Sequence, residues 1–110
     1  MIVLEVRDDE LVSSLQRQVK EAGIENAAIV SLIGGVEDFT ISTMPLNDAT
    51  SDTITTYHVT AEMTGNGEVV DGKVHLHAVM GVQGDEAKAG HLHQATVKTH
   101  FARAYVIPTV

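Results

Sequence analysis

The sequence predicts an α+β fold in which one amphipathic helix packs on a mostly antiparallel, mixed sheet. Three observations lead to this fold class. One segment near the amino terminus has apolar residues at helical spacing, most other segments alternate apolar and polar residues, and Gly, Asn and Asp separate these segments. The chain is predicted to form a single domain, 1–110, because 110 residues can bury one core without disulfides. With two Tyr, two Phe and no Trp, that core must be aliphatic.

The first half of the chain predicts a strand, the helix and a pair of strands. Every second residue of 1–7 is apolar, as in a half-buried strand. Asp8 or Asp9 is expected to cap the helix that follows, and Gly23 is expected to end it. The apolar helical positions are Leu11, Val12, Leu15 and Val19.

Next comes a continuous apolar run over residues 27–33, which predicts a buried strand. Gly34-Gly35 then suggests a turn into a partner strand over residues 36–43. From residue 44 to residue 52 the composition shifts to Pro, Asn, Asp and Ser, which predicts an exposed loop.

The second half is predicted to be almost wholly β. The predicted strands are 53–63, 68–70, 73–82 and 95–107. The segments between them are the turn 65–67, the turn Asp71-Gly72 and the polar stretch 83–90.

Charge and composition disfavour several classes of function. Fifteen acidic residues against seven basic ones give a formal charge of −8, and the basic residues are scattered, so direct nucleic-acid binding is not expected. Without cysteine, any metal must be bound by nitrogen and oxygen ligands. No apolar run approaches the ~20 residues of a membrane span, and the acidic start does not fit a signal peptide. No membrane association and a cytoplasmic location are therefore expected.

Five of the six histidines lie between positions 75 and 100, and four of them form the pairs His75-Leu76-His77 and His91-Leu92-His93. On a strand, residues two apart lie on the same face about 6.5 Å from each other, so both imidazoles of a pair can reach one ion. One pair supplies two ligands, and a histidine from a neighbouring strand would complete a three-nitrogen set with an open position. The pattern indicates a site for zinc or another divalent metal formed by His75, His77 and His91.

The same alternation also occurs on the exposed polar face of an ordinary antiparallel sheet. One pair alone would favour that interpretation, whereas two pairs within about twenty residues give metal ligation equal weight. His93 is a candidate additional ligand that would close the coordination sphere, or it faces solvent. His58 and His100 are assigned to ordinary polar positions.

The stretch GEVVDGKVHLHAVMGVQGDEAKAGHLHQATV, preceded by Thr64-Gly65-Asn66, resembles the PPC family, the plant and prokaryote conserved domain also found in plant AT-hook nuclear proteins. Thr64-Gly65 takes the place of the family's Thr-Gly, His75-Leu76-His77 that of its His-x-His strand, and Gly90-His91-Leu92 that of its Gly-Gly-His-Leu. The motif glycines are Gly65 and Gly90. The helix and the segment 27–41 also match in order, so the resemblance covers nearly the whole chain.

This resemblance implies a compact α+β domain with a mixed or antiparallel sheet, assembled as a homotrimer with clefts between subunits. It also implies zinc bound by the residues that match the family's ligands, namely His75, His77 and His91. The family's fold is similar to that of acetolactate decarboxylase, a zinc enzyme with a three-histidine site.

The chain departs from the family pattern at three places. Ala89 replaces the first glycine of Gly-Gly-His-Leu, which a strand tolerates unless the position needs a positive φ. Where the family often has Phe-Glu, this chain has Tyr57-His58 or, on a strict count back from Gly65, His58-Val59. Ala102 lies near a position often filled by glutamate, so acid–base chemistry does not carry over. Glu62, Glu68 and Glu86 are the nearest acidic alternatives in the sequence.

Three functions therefore stay open. The first is a metal-dependent small-molecule binding protein or enzyme. The second is a regulatory or DNA-associated assembly module, as the plant relatives suggest, although the chain has no basic AT-hook and would act on DNA only through a partner. The third is a trimeric scaffold whose histidines are remnants of an ancestral site.

Overall fold

The computed structural model of the chain describes residues 1–110 as one large sheet with a single helix on it. The strands are β1 (Ile2–Val6), β2 (Asp9–Glu10), β3 (Ala27–Val36), β4 (Asp38–Thr43), β5 (Thr53–Tyr57), β6 (Ala61–Val70), β7 (Lys73–Val82), β8 (Glu86–Val97) and β9 (Ala102–Pro108), and the helix is α1 (Leu11–Glu21).

The strand order in the sheet is β1-β9-β3-β6-β7-β8-β4-β5, and the short β2 also pairs with β8. Every strand pair is antiparallel, so the sheet contains no parallel component. The predicted α+β class, one helix on a mostly antiparallel sheet, is confirmed.

Helix α1 begins at a cap that the sequence did not identify. The Glu10 carboxylate accepts hydrogen bonds from the backbone N–H groups of Val12 (2.9 Å) and Ser13 (2.8 Å). The prediction of Asp8 or Asp9 was wrong because the helix begins only at Leu11, so Asp9 lies one residue too early and its carboxylate accepts from the Glu10 N–H instead. The predicted end of the helix is confirmed, since Gly23 follows the last turn with a φ of 69°.

The core between α1 and the sheet is aliphatic, as composition requires. It contains 24 buried hydrophobic residues, of which Phe39 is the only aromatic one. The helix contributes Leu11, Leu15 and Val19, each no more than 1% exposed, and lies against β1, β7 and β8. Because α1 covers only one face, the molecule is flat, with extents of 37 × 36 × 18 Å.

The predicted turn at Gly34-Gly35 was wrong. Strand β3 continues through both glycines to Val36, and the chain bends only at Glu37. Strands β3 and β4 do not pair with each other: β3 lies between β6 and β9, and β4 between β5 and β8. The glycines serve the close approach of β3 to β9, since a Cβ on Gly34 would lie 2.5 Å from the Phe101 carbonyl oxygen.

Several predicted boundaries in the second half also changed. Segment 53–63 is divided between β5 and β6, and segment 95–107 is interrupted between β8 and β9. Residues 65–67 stay in strand β6 rather than forming a turn, and most of 83–90 belongs to β8. Residues 65–67 and 86–90 both pair with β7, so strand pairing outweighs the local turn signal in these segments. The exposed loop over residues 44–52 is confirmed.

The predicted turn at Asp71-Gly72 is confirmed and connects β6 to β7. Both residues have positive φ, 50° and 78°, as in the two-residue turns that match the twist of paired strands. The turn fixes the register, beginning with Val70 opposite Lys73.

Strands β6 and β7 approach each other closely at Gly65. A Cβ added there would lie 2.2 Å from the His77 carbonyl oxygen, a distance that no alanine side chain can occupy without backbone movement. The motif glycine thus allows β6 to pair tightly with the strand that carries His75 and His77.

We expect Gly65→Ala to lower the free energy of unfolding by about 1–3 kcal/mol because the new methyl overpacks a backbone contact. Gly81→Ala is the matched control on the same strand pair, since its Cβ would lie 3.4 Å from the nearest heavy atom, the Glu62 carbonyl oxygen. That variant should be unchanged or slightly more stable. Urea unfolding measures both, and equal midpoints for the two variants would contradict the close approach.

Candidate metal centre

His75, His77 and His91 lie together on two adjacent strands. His77 is directly opposite His91 in the β7–β8 pair, and His75 lies two residues before His77 on the same face. The ring centroids are 5.0 Å apart for His75 and His77, 4.9 Å for His75 and His91, and 5.7 Å for His77 and His91. One nitrogen from each ring lies within 4.8 Å of the others. The structure therefore brings the three predicted residues to one point.

This donor set fits a zinc-like ion. Zinc–nitrogen bonds of ~2.0–2.1 Å in a tetrahedral site require nitrogens roughly 3.4 Å apart, whereas the three ring nitrogens here lie within 4.8 Å of one another. His75 and His77 are exposed and His91 is half-buried, so modest side-chain rotations can close the gap. Three imidazoles would hold the ion and leave a fourth position for a water or a ligand oxygen.

The environment of His91 favours the neutral imidazole that a metal requires. Burial lowers the pKa of His91 below its ordinary value of 6.5, and the neighbouring rings of His93, His75 and His77 lower it further. The carboxylate of Asp52 acts in the opposite direction on the same pKa.

Glu68 is the acidic residue that the fold places beside the triad. It lies opposite His75 in the β6–β7 pair, and its Oε2 is 3.4 Å from His75 Nδ1. Glu62 lies opposite Gly81 and Glu86 opposite Val82, so neither faces a histidine across its strand pair. Counting back from the Asp71-Gly72 turn would have identified Glu68, because a two-residue turn fixes which residues face each other.

A shallow pocket borders the triad on the β6 side, with a volume of about 390 Å³. Asn66, which lies opposite His77, adds a side-chain amide to the pocket lining. Val30 on β3 adds an apolar side chain. Counting back from the Asp71-Gly72 turn would also have identified Asn66, whereas Val30 gave no signal because it comes from β3, which is distant in the chain.

His93 lies next to the triad but has a different partner. Its Nε2 is 2.9 Å from the hydroxyl oxygen of the buried Ser42 on β4, and its ring centroid is 4.6 Å from that of His91. It is not one of the three histidines whose nitrogens converge. Ser42 gave no signal in the sequence, since its contact with β8 depends on long-range pairing.

Gly90 precedes His91 where β8 passes close to β4. A Cβ on Gly90 would lie 2.4 Å from the Ser42 carbonyl oxygen, so the position needs a glycine. Position 89 does not need a glycine, because Ala89 has no positive φ: the only non-glycine residues that do are Asp8, Asp71 and Asp85. The first departure from the family motif is therefore structurally tolerated.

The other departures, at His58 and Ala102, lie away from the triad, as does His100. His58 is exposed in the link between β5 and β6, and His100 packs beside Gly35 near the start of β9. Ala102 is fully buried in the core, so its side chain does not face the metal-site surface. None of these positions supplies an acid or base to the three histidines.

A family model for the Plants and Prokaryotes Conserved (PCC) domain matches residues 1–109. The chain belongs to this family. The resemblance to the PPC family, the same domain under a variant of its name, is thereby confirmed. No curated protein matches the chain.

Solved structures share the fold of this PCC domain. A metal-containing protein from Archaeoglobus fulgidus is 26% identical, with a TM-score of 0.76 over 97% of this chain and 77% of the other. A protein from Ralstonia eutropha JMP134, provisionally described as DNA-binding, is 20% identical, with a TM-score of 0.82 over 97% and 76%.

A protein of unknown function from Staphylococcus aureus, described as similar to alpha-acetolactate decarboxylase, is 11% identical. Its TM-score is 0.68, over 98% of this chain and 52% of the other. The expected similarity to the acetolactate decarboxylase fold is confirmed. No helix in the structure has the length and apolar character needed to cross a membrane.

We expect the metal-free domain to lose stability as pH falls through the titration of His91. Because its folded pKa lies below 6.5, the unfolded chain binds the proton first as pH falls, and the free energy of unfolding decreases between 6.5 and the folded pKa. The measurement is urea unfolding with chelator at about pH 7.5 and about pH 5.5. His91→Gln should show a smaller decrease than the parent, and an equal decrease in both proteins would contradict the shift.

Proposed function

We propose that this PCC domain binds zinc or another divalent metal through His75, His77 and His91 in a homotrimer, and that the ion receives a small-molecule ligand. The convergence of three imidazole nitrogens from two adjacent strands carries the proposal. A metal-containing relative at 26% identity supports it. When bound, the ion would supply a Lewis acid at the open position.

The surroundings of the triad also support a metal with an accessible position. Burial favours the neutral, ligating form of His91. The hydrogen bond between His93 and Ser42 supports a three-histidine set rather than a four-histidine set, because it engages His93 Nε2 elsewhere. An open site of this kind is typical of catalytic zinc, whereas closed sites are structural.

The neighbouring pocket supports a small ligand. Its volume of about 390 Å³ lies within the usual ~300–1,000 Å³ of ligand sites. Asn66 and Glu68 offer hydrogen-bonding groups, and Val30 offers an apolar contact. A ligand with a metal-binding oxygen and a short apolar part matches this lining.

The bare face of the sheet supports the homotrimer. Ile33 on β3, Thr64 on β6 and Val79 on β7 lie side by side in one row across these three strands. Ile33 and Val79 are 50% and 43% exposed. Val30, on β3 near this row, is 51% exposed. This row of side chains lies next to the row that contains His77 and His91, so a contact between subunits on this face would border the metal site.

A regulatory or assembly module is the alternative, and the seven basic residues of the chain are scattered along its sequence. The formal charge of −8 argues against direct DNA contact. Because this alternative places any DNA contact on a partner, tight, salt-sensitive retardation of a DNA fragment by the purified domain would overturn it. A cytoplasmic location remains a prediction from the sequence.

Protein purified without a histidine tag should contain about one zinc-like ion per chain, and His77→Ala should lose it. Loss of a ligand should weaken metal affinity by more than the roughly 10- to 100-fold typical of a lost supporting residue. Elemental analysis and competition with a chromophoric chelator provide the measurement.

His58→Ala is the matched control, because His58 is also an exposed histidine but lies in the link between β5 and β6. It should bind metal like the parent. Equal affinity for His77→Ala and His58→Ala, or a parent without stoichiometric metal, would reject the metal site.

Light scattering coupled to size-exclusion chromatography should give three times the 11.8 kDa of one chain. Ile33→Glu should release monomers, because it places a charge in the apolar row that a neighbouring subunit would cover. Ile54→Glu on the edge strand β5 is the control, since Ile54 is equally apolar and 60% exposed but lies far along the sheet. A monomeric parent, or equal behaviour of the two variants, would reject the trimer or its predicted face.

A further inference from the structure

We propose that Glu68 is a positioning residue that orients His75 and selects the nitrogen with which His75 binds the metal. This inference rests on the proposed metal site and deepens it. Glu68 is the only carboxylate that lies within hydrogen-bond distance of a triad histidine, with Oε2 3.4 Å from His75 Nδ1.

The contact depends on the register of the β6–β7 hairpin. Because Asp71-Gly72 forms a two-residue turn, the strands pair from Val70 and Lys73 onward, and Glu68 falls directly opposite His75. Paired residues of an antiparallel ladder have Cβ atoms ~4.5–5.5 Å apart on the same face. The two side chains are therefore held within reach of each other by the backbone.

The hairpin is itself anchored to the helix. The Gln16 side-chain amide donates to the Gly72 carbonyl (2.6 Å) and accepts from the Val74 N–H (2.9 Å), so one helical residue binds the turn and the start of β7. The Asn26 side chain accepts from the Asp71 N–H at 3.2 Å. These bonds restrain the register that places Glu68 beside His75.

A carboxylate beside Nδ1 determines the chemistry of the ring. A neutral imidazole carries one proton, and the Glu68 carboxylate can only accept, so it favours the form with Nδ1–H and leaves Nε2 free to bind metal. Metal-binding histidines commonly donate their second ring N–H to such a carboxylate, which orients the ring and increases its basicity.

Glu68 is a positioning group rather than a fourth ligand. The atoms that converge within 4.8 Å belong to the three histidines alone. His77, by contrast, faces the neutral Asn66 across the same hairpin, so of the two histidines on β7 only His75 has a charged residue opposite it. The His75 and Glu68 side chains are 46% and 54% exposed, so substitution of Glu68 should leave the core intact.

The first test needs no metal. Nitrogen-15 NMR of metal-free protein reports which ring nitrogen of neutral His75 carries the proton. We expect Nδ1–H in the parent and a shift toward Nε2–H in Glu68→Ala. Glu68→Gln should retain much of the Nδ1–H form, because its amide oxygen also accepts a hydrogen bond.

The second test measures zinc affinity by competition with a chromophoric chelator. Glu68→Ala should weaken zinc binding by about 10- to 100-fold, and Glu68→Gln should fall between this variant and the parent. Glu62→Ala is the matched control, since it removes the same charge from the same strand opposite Gly81 rather than a histidine. Thermal unfolding of the metal-free variants checks that all of them are folded.

The outcomes separate this inference from the proposed function. If Glu68→Ala and Glu62→Ala bind zinc equally, or if the His75 proton does not move, Glu68 does not position His75. If Glu68→Ala loses zinc as completely as His75→Ala, Glu68 is a ligand and the positioning role is wrong. If the parent binds no zinc while the proton shifts as expected, the metal site fails and the Glu68–His75 contact stands alone.

Discussion

The register of the β6–β7 hairpin is the constraint on which the candidate site depends. The left-handed conformations of Asp71 and Gly72 allow a two-residue turn, and the turn decides every cross-strand pair that follows it. A slip of one residue would move both histidines of β7 to the core face, where Leu76 and Ala78 now lie. Gln16 holds the turn from the helix side, so packing of α1 and geometry of the site are linked.

The unequal covering of the two sheet faces links the proposed metal site to assembly. Helix α1 buries one face in an aliphatic core, while the other face carries the triad, the pocket beside it and exposed apolar residues such as Ile33 and Val79. The histidine row is adjacent to the apolar row, so covering one would change the solvent exposure of the other. Metal binding and subunit contact are expected to influence each other for this reason.

Much of the site could be predicted from spacing alone. Residues two apart on a strand share a face, so His75 and His77 were expected to lie side by side, and His91 was the candidate third ligand from a neighbouring strand. Glu68 could also have been predicted, because counting back from the Asp71-Gly72 turn places it opposite His75. Ser42 and Asp52 could not have been predicted, because nothing near them in the chain indicates that β4 and the loop after it lie beside β8.

The sequence by itself determined the α+β class, the apolar face of the helix, the Asp71-Gly72 turn and the placement of His75 and His77 on one face of a strand. All of these follow from interactions between residues a few positions apart, which periodicity and turn chemistry report directly. Only the tertiary structure decided that β3 and β4 have different partners, that Glu10 caps the helix and that His93 meets Ser42. These depend on which distant strands pair, and that choice is set by the burial of the whole apolar surface rather than by any local pattern.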